Sequence, residues 1–219
     1  MNGINYAILW DLDGTIVDTK DCHFFTWKSA LKKYGVELNQ AVYAMNFGRN
    51  NQALAPLLLG FDPDADLLEA LIDQKETLYR QAAPEQTTLV PGVRTWLSTA
   101  AELNIKQAIA SSAPMENITM MLSHYELERY FNTIVSGTNL PAKPEPDVFL
   151  KAAKDLRCSP ADCLVIEDSL AGVKAAKAAG MHCVAVSTSH AREELHQADF
   201  VVDDYRVPLN KILHALGWV

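Results

Sequence analysis

Two carboxylates, Asp11 and Asp13, stand two residues apart where the first strongly apolar stretch of the chain ends. Carboxylates that close repel each other unless a cation or a shared proton offsets their charge. A plainer interpretation is a turn, because Gly14 follows Asp13, Asp-Gly is a common turn dipeptide, and aspartate caps helices well. Taken alone, these two residues fit a reactive acid pair and an ordinary turn equally well.

Three later apolar stretches also lead into residues that could do chemistry. Ser111 ends one of them, Lys143 follows another, and Glu167 and Asp168 end a third. Each has an ordinary explanation by itself, as a helix cap, a solvated surface charge or a pair of first-turn acids. An acid pair, a hydroxyl, a lysine and a second acid pair, in this order, together predict a site for a divalent cation and a phosphoryl group.

The elements that must position these residues alternate between strands and helices. The predicted strands are Ile4–Trp10, Ile105–Ala110, Thr133–Val135, Cys163–Ile166, His182–Val186 and Phe200–Val202. The predicted helices between them include Val93–Leu103, Met115–His124, Asp147–Leu156 and Leu170–Ala179. Several strands are apolar without alternation, which is typical of a parallel sheet covered on both faces. The pattern predicts a doubly wound α/β fold, whose ligands bind beyond the carboxyl ends of the strands.

One long segment, from Thr19 to Thr88, interrupts this alternation and shows only helical patterns. Its first helical face consists of four apolar residues, Phe24, Trp27, Leu31 and Tyr34, at helical spacing. The strand-and-helix alternation returns after Val90-Pro91-Gly92. We therefore expect an α/β core made of residues 1–17 and 90–219, and an inserted all-helical domain made of residues 18–89.

The composition excludes several classes of protein. The chain has 219 residues, of which 49% are hydrophobic and 21% charged, and this is the composition of a folded domain rather than a disordered chain. Its net charge of −8 and the absence of a basic run give no footprint for nucleic acid or for an anionic membrane. The four cysteines show no metal-ligand spacing, and the N-terminus lacks the pattern of a signal peptide. We expect a cytoplasmic monomer with buried, reduced thiols.

The four motifs resemble, in order and at ordinary spacing, those of the haloacid dehalogenase superfamily, the aspartate-nucleophile phosphotransferases. The helical insert is similar to the helical cap of that family. Residues 167–176 (EDSLAGVKAA) are typical of the branch that holds β-phosphoglucomutase, phosphoglycolate phosphatase and small sugar-phosphate phosphatases. The resemblance implies a Rossmann-like core with a helical cap, a Mg²⁺ cofactor, a small phosphorylated substrate and an aspartyl-phosphate intermediate.

The resemblance also implies a role for each motif residue. Asp11 would be the nucleophile, and Asp13 would protonate the leaving oxygen and then deprotonate the attacking water. The implied ligands of Mg²⁺ are Asp11, the backbone carbonyl of Asp13, and Asp168, while Glu167 is either a further ligand or a group that orients one. The implied phosphoryl-binding residues are Ser111, Ser112 and Lys143.

Two features distinguish branches of the family. The dehalogenase and phosphonatase branches lack the second aspartate, so Asp13 favours phosphate-ester chemistry. Pro114 stands where mutases of this type usually carry a lysine, and this favours a hydrolase. We expect a Mg²⁺-dependent phosphatase acting on a sugar phosphate or a similar metabolite. A β-phosphoglucomutase-type mutase and a non-catalytic sensor of phosphorylated metabolites are the alternatives.

Four residues of the insert match cap positions of the family that contact the substrate or couple cap closure to proton transfer. They are Thr19, His23, Arg49 and Lys75. The ordinary alternative for His23 is a histidine packed against neighbouring apolar residues, and for Arg49 and Lys75 it is a solvated surface charge. The sequence does not decide between these alternatives.

Overall fold

The structure contains a sheet of six parallel strands and a separate two-stranded ribbon. The computed structural model describes residues 5–219, so the predicted start of the first strand at Ile4 lies outside the described residues. The strands are β1 (Ala7–Trp10), β2 (Val17–Asp18), β3 (Thr88–Leu89), β4 (Lys106–Ser111), β5 (Thr133–Ser136), β6 (Cys163–Glu167), β7 (His182–Val186) and β8 (Phe200–Val202).

The helices of residues 5–219 fall into two groups along the chain. The first group lies between β2 and β3 and comprises α1 (Lys20–Lys32), α2 (Gln40–Asn46), α3 (Asn51–Leu59) and α4 (Ala65–Gln86). The second comprises α5 (Val93–Glu102), α6 (Met115–His124), α7 (Asp147–Leu156), α8 (Leu170–Ala178) and α9 (Leu209–Ala215). No helix among these is both long and apolar enough to cross a membrane.

The main sheet has the strand order β5-β4-β1-β6-β7-β8, and all its pairs are parallel. The chain builds outward from β1 on one side through β4 and β5, and then on the other side through β6, β7 and β8. The strand order therefore reverses at β1, and a crevice opens there beyond the carboxyl ends of the strands. This doubly wound architecture confirms the predicted fold class.

Both faces of the sheet are buried, and this accounts for its continuous apolar strands. Ile8 and Trp10 of β1 pack into a cluster with α5, α6 and α9, whereas Ala7 and Leu9 pack into a second cluster with α7 and α8. The indole N–H of Trp10 donates to the side chain of Gln107 at 3.1 Å, so the buried polar group has a partner.

The inserted helices have a core of their own. Trp27 and Leu31 of α1 pack with Tyr43, Leu58 and Leu71 of the next three helices. The predicted helical face is wrong at one residue, because α1 ends at Lys32 and Tyr34 lies in the turn that follows. Gly35 has φ of +71° in that turn, a left-handed conformation that suits glycine and redirects the chain.

The inserted segment joins the core through the antiparallel ribbon of β2 and β3. Val17 pairs with Leu89 and Asp18 pairs with Thr88. The sequence predicted no strand between Thr19 and Thr88, and β3 begins at the last residue of that range. Of the predicted domain limits, the one between residues 17 and 18 falls within β2 and the one between 89 and 90 falls directly after β3, and both stay a prediction.

Candidate active site

The motif residues meet at the crevice beside β1. Asp11 follows β1, Ser111 ends β4, and Glu167 ends β6. Lys143 reaches the same place from the loop after β5. The topology of the sheet, rather than proximity along the chain, brings these residues together.

A buried lysine joins the two acidic motifs. Lys143 Nζ lies 3.0 Å from Asp11 Oδ1 and 2.7 Å from Glu167 Oε1, and at most 3% of each residue is exposed. The other oxygen of Glu167 accepts hydrogen bonds from the backbone N–H groups of Asp168 and Ser169, each at 2.7 Å, and from the Ser169 hydroxyl at 3.0 Å. Both oxygens of Glu167 are thus occupied, and the carboxylate fixes the position of the lysine.

A glycine makes room for this arrangement. A Cβ atom on Gly172 would lie 1.7 Å from Glu167 Oε1, so any larger residue at this place in α8 would displace the carboxylate. This contact explains why glycine stands at position 172 of the motif, because the buried Glu167 carboxylate leaves no room for a side chain there.

The second acid of this motif is fully buried near Asp11, with one oxygen unpaired. Asp168 Oδ1 accepts a hydrogen bond from the Thr15 hydroxyl at 3.2 Å. Asp168 Oδ2 is buried and, within residues 5–219, has no hydrogen-bond partner. One ligand oxygen from each of Asp11, Glu167 and Asp168 lies within 4.8 Å of the others. An orphaned carboxylate oxygen within a cluster of hard oxygen donors fits a small divalent cation.

The pKa values of these acids indicate the same need for positive charge. Burial, opposed by Lys143 and assisted by the charges of Glu167 and Asp13, raises the pKa of Asp11 to about 7. Burial and the charges of Glu167 and Asp11 raise the pKa of Asp168 well above its ordinary value. The two carboxylates are therefore costly to ionise together, and a bound cation would lower that cost.

We therefore predict that the metal-free protein becomes less stable as the pH rises. The folded form holds a proton on Asp11 up to about pH 7, whereas the unfolded form releases it near the ordinary pKa of 3.8. The stabilising contribution of this group is complete below the unfolded pKa and disappears as the pH rises through the folded pKa. From pH 6.5 to 8, we expect a loss of about 1 kcal/mol in the free energy of unfolding in EDTA. Saturating Mg²⁺ should flatten this dependence, and equal slopes with and without Mg²⁺ in urea titrations would contradict the assignment.

The second carboxylate of the first motif is held by two residues of the inserted helices. Asp13 Oδ1 lies 3.0 Å from His23 Nε2 of α1 and accepts a hydrogen bond from the Tyr79 hydroxyl of α4 at 3.2 Å. The rings of His23 and Tyr79 stack with centroids 4.2 Å apart. Burial alone would raise the pKa of Asp13, but the charge and hydrogen bond of His23 lower it to about 2. His23 is thus both packed in the protein interior and bonded to the site.

The other predicted residues differ in how they meet the site. Thr19 is buried beside Asp13 and also lowers its pKa, although its hydroxyl lies outside hydrogen-bond geometry. Ser111 is buried at the crevice, and its hydroxyl accepts a hydrogen bond from the Ala113 N–H at 3.2 Å. The Ser112 hydroxyl donates instead to the Gly48 carbonyl of the inserted segment at 2.8 Å. The predicted phosphate-binding roles of both serines stay predictions.

A small cavity lies between the core and the inserted helices. Its lining includes Asp11, Asp13, Ser111, Arg49 and Lys75. The cavity has a volume of about 50 Å³, which is room for a few water molecules. A phosphorylated metabolite is larger than this, so we expect the lining to widen when one binds.

Several contacts between the core and the inserted segment were not predicted from the sequence. Tyr79, Glu76 and Asn50 all bond to core residues, and Asn50 reaches the backbone carbonyls of Gly137 and Leu140 at 3.2 and 3.3 Å. The only sequence signal that could have identified Glu76 as a site residue is its position directly after Lys75. The partners of these residues lie far away along the chain, so no local spacing identifies them.

Comparison with known proteins agrees with this geometry. Residues 8–186 match the haloacid dehalogenase-like hydrolase family, and the chain belongs to this family. It is 32% identical over 207 residues to β-phosphoglucomutase of Bacillus subtilis (strain 168), covering 90% of this chain and 88% of that protein. It is 31% identical over 186 residues to fructose-1-phosphate phosphatase YqaB of Escherichia coli (strain K12), covering 82% and 95%.

A solved structure shares the fold over nearly the whole chain. The crystal structure of β-phosphoglucomutase from Clostridium difficile superposes with a TM-score of 0.88 at 24% identity, covering 98% of each chain. The predicted family, its β-phosphoglucomutase and phosphoglycolate phosphatase branch and the doubly wound fold are confirmed. The protein is an enzyme that acts on phosphate esters.

Proposed function

We propose that this enzyme is a Mg²⁺-dependent phosphatase that hydrolyses the phosphate monoester of a small sugar-like metabolite. The observation that carries the proposal is the position of Asp11. Its carboxylate is held by the buried Lys143 and borders the same cavity as Asp13, so a nucleophile and an acid–base group face one small space. This arrangement is what phosphoryl transfer through an enzyme-bound intermediate requires.

In the first half of the reaction, an oxygen of the Asp11 carboxylate attacks phosphorus, and the bond between phosphorus and the ester oxygen breaks. Lys143 and the backbone N–H groups of the loop after Ser111 stabilise the charge on the phosphoryl oxygens. Asp13 supplies the proton that the leaving oxygen takes. Because its carboxyl is ionised in the free enzyme, Asp13 must first take up a proton from solvent, and a phosphate dianion beside it would favour this uptake by raising its pKa.

In the second half, Asp13 has lost its proton and acts as the base. It takes a proton from water, whose oxygen attacks phosphorus and breaks the bond to Asp11. The hydrogen bonds from His23 and Tyr79 hold the Asp13 carboxylate in place for both steps. Because these two residues belong to the inserted helices, Asp13 is fully positioned only when the helices lie against the core.

The residues that would hold Mg²⁺ are Asp11, Asp168 and the backbone carbonyl of Asp13. When bound, the ion offsets the repulsion between the Asp11 carboxylate and the phosphate dianion. Glu167 already bonds Lys143 with one oxygen and three donors with the other, so we infer that it orients Lys143 rather than binding the ion directly.

The test is a panel of sugar phosphates, polyol phosphates and phosphoglycolate assayed for released inorganic phosphate. We expect hydrolysis that falls at least a hundredfold in EDTA and returns with Mg²⁺. Ca²⁺ should inhibit, because its larger and looser coordination misplaces the attack. Activity that resists chelation would exclude the metal assignment.

The similarity to a β-phosphoglucomutase supports a mutase as the second candidate. A mutase would return the phosphoryl group to the sugar and would need a bisphosphate activator, so it would yield an isomeric sugar phosphate with little free phosphate. Failure to release or transfer phosphate from any ester of the panel would contradict both candidates.

A further inference from the structure

The cavity contains a buried ion pair whose acid, Glu76, takes no part in the mechanism described above. Lys75 Nζ lies 2.6 Å from Glu76 Oε1, and only 1% of Lys75 and 4% of Glu76 is exposed. The same ammonium lies 5.5 Å from the ring centre of Trp27 and 5.1 Å from that of Tyr79. Lys75 is therefore not a solvated surface charge, and its own neighbour neutralises it within the cavity lining.

Glu76 is held as a counterion rather than as a group that is free to bind a substrate. Its Oε1 also accepts a hydrogen bond from Asn51 at 2.6 Å, and its Oε2 accepts one from Asn117 of the core helix α6. Arg80 donates to the side-chain carbonyl of Asn117 at 3.3 Å, which fixes the orientation of that amide. Although burial opposes it, the charge of Lys75 lowers the pKa of Glu76, so the carboxylate is ionised at neutral pH.

Arg49, the arginine of the cavity lining, differs from Lys75. Within residues 5–219, its guanidinium makes no hydrogen bond or ion pair, whereas the Lys75 ammonium is paired. Apart from His23, which is bonded to Asp13, the inserted segment thus presents one uncompensated cation and one neutral ion pair to the part of the substrate that does not react. A second phosphate group at this place would be repelled by the negative charge of Glu76 and attracted by the positive charge of Arg49 alone.

We propose that Glu76 determines the substrate class by cancelling the charge of Lys75, so that the enzyme selects phosphate monoesters of neutral, hydroxyl-bearing skeletons over sugar bisphosphates. This inference rests on the proposed function. An ammonium has three N–H donors, and the two that Glu76 does not take can donate to hydroxyl oxygens. The repulsion between Glu76 and a second phosphate supplies the discrimination against the unwanted substrate.

The experiment compares kcat/KM for the best sugar monophosphate of the panel with kcat/KM for the bisphosphate of the same sugar. The wild-type enzyme should prefer the monophosphate. Glu76→Gln should raise the ratio of bisphosphate to monophosphate activity at least tenfold, because the Lys75 charge is then uncompensated at short range. The ratio is independent of the fraction of folded enzyme, so it separates specificity from stability.

Three further variants complete the test. Glu76→Asp keeps the charge and should keep the ratio within about threefold of the wild-type value. Glu69→Gln removes the same charge from an exposed position on the same helix and should leave the ratio unchanged. Lys75→Met leaves Glu76 uncompensated and should lower the ratio at least tenfold, which provides an independent reading if Glu76→Gln does not fold.

Two results would overturn the proposal. One is a wild-type enzyme that prefers a bisphosphate or phosphoglycolate. The other is a Glu76→Gln enzyme in which both activities fall equally, since Glu76 would then serve the structure alone. Absence of phosphate release from every ester is a different result, because it would refute the proposed function itself.

Discussion

Replacing Asp11 by asparagine should abolish phosphate release, with a fall of at least about 10⁴-fold in kcat, while the protein still folds. The side-chain amide is nearly isosteric with the carboxylate but is a poor nucleophile, so no aspartyl-phosphate can form. The substitution also removes one of the buried acids whose mutual repulsion destabilises the metal-free protein. Released phosphate measures the loss, and circular dichroism with urea titration measures the fold.

The matched control for this variant is Asp18→Asn, which makes the same chemical change at an exposed position in β2. Its activity should stay within about twofold of wild type, since exposed substitutions away from a site have small effects. Activity of Asp11→Asn within about tenfold of wild type would show that another group attacks phosphorus.

Replacing Lys143 by methionine should cost about 3–5 kcal/mol in the free energy of unfolding of the metal-free protein. Methionine fills a similar volume but leaves Asp11 and Glu167 without the buried cation that contacts both. Mg²⁺ should recover part of this loss, because it supplies positive charge to the same acids. Urea denaturation in EDTA and in Mg²⁺ measures both effects.

The matched control is Lys151→Met, which removes a half-exposed lysine paired with Asp155 at 2.9 Å one helical turn away. Solvent screens this pair, so the loss should not exceed about 0.5–1 kcal/mol. Equal losses in the Lys143 and Lys151 variants would mean that the buried lysine does not stabilise the acidic site.

The core strands could be predicted because their apolar runs are continuous, and the observed bounds differ from the predicted ones at residues that carry chemistry. β4 ends at Ser111 and β6 at Glu167, each one residue beyond the predicted end. The apolar run of each strand ends one residue before the strand itself does. Backbone pairing includes this further polar residue, so Ser111 pairs with Ser136 and Glu167 pairs with Ala185. The short strands β2 and β3 have no periodicity at all, and they exist only because two distant segments meet.

The motif residues of the site could be predicted for a related reason. Asp11, Lys143 and Asp168 are recognisable because each follows a strand of a parallel sheet, and the strand order then decides that they converge. Glu76 and Asn117 could not be found in this way. Each lies on an amphipathic helix among other polar residues, and their bond depends on how the inserted helices approach the core.

The ribbon of β2 and β3 has a consequence for how such an enzyme can acquire new substrates. The inserted segment leaves the core at Val17-Asp18 and returns at Thr88-Leu89, and these two places are hydrogen-bonded neighbours. An exchanged segment of different length or sequence would begin and end at the same two adjacent points, so the core would be neither stretched nor compressed. The part of the cavity lining that the inserted segment supplies can therefore be exchanged as a module while Asp11 and Lys143 stay unchanged, provided that the new segment again supplies partners for Asp13.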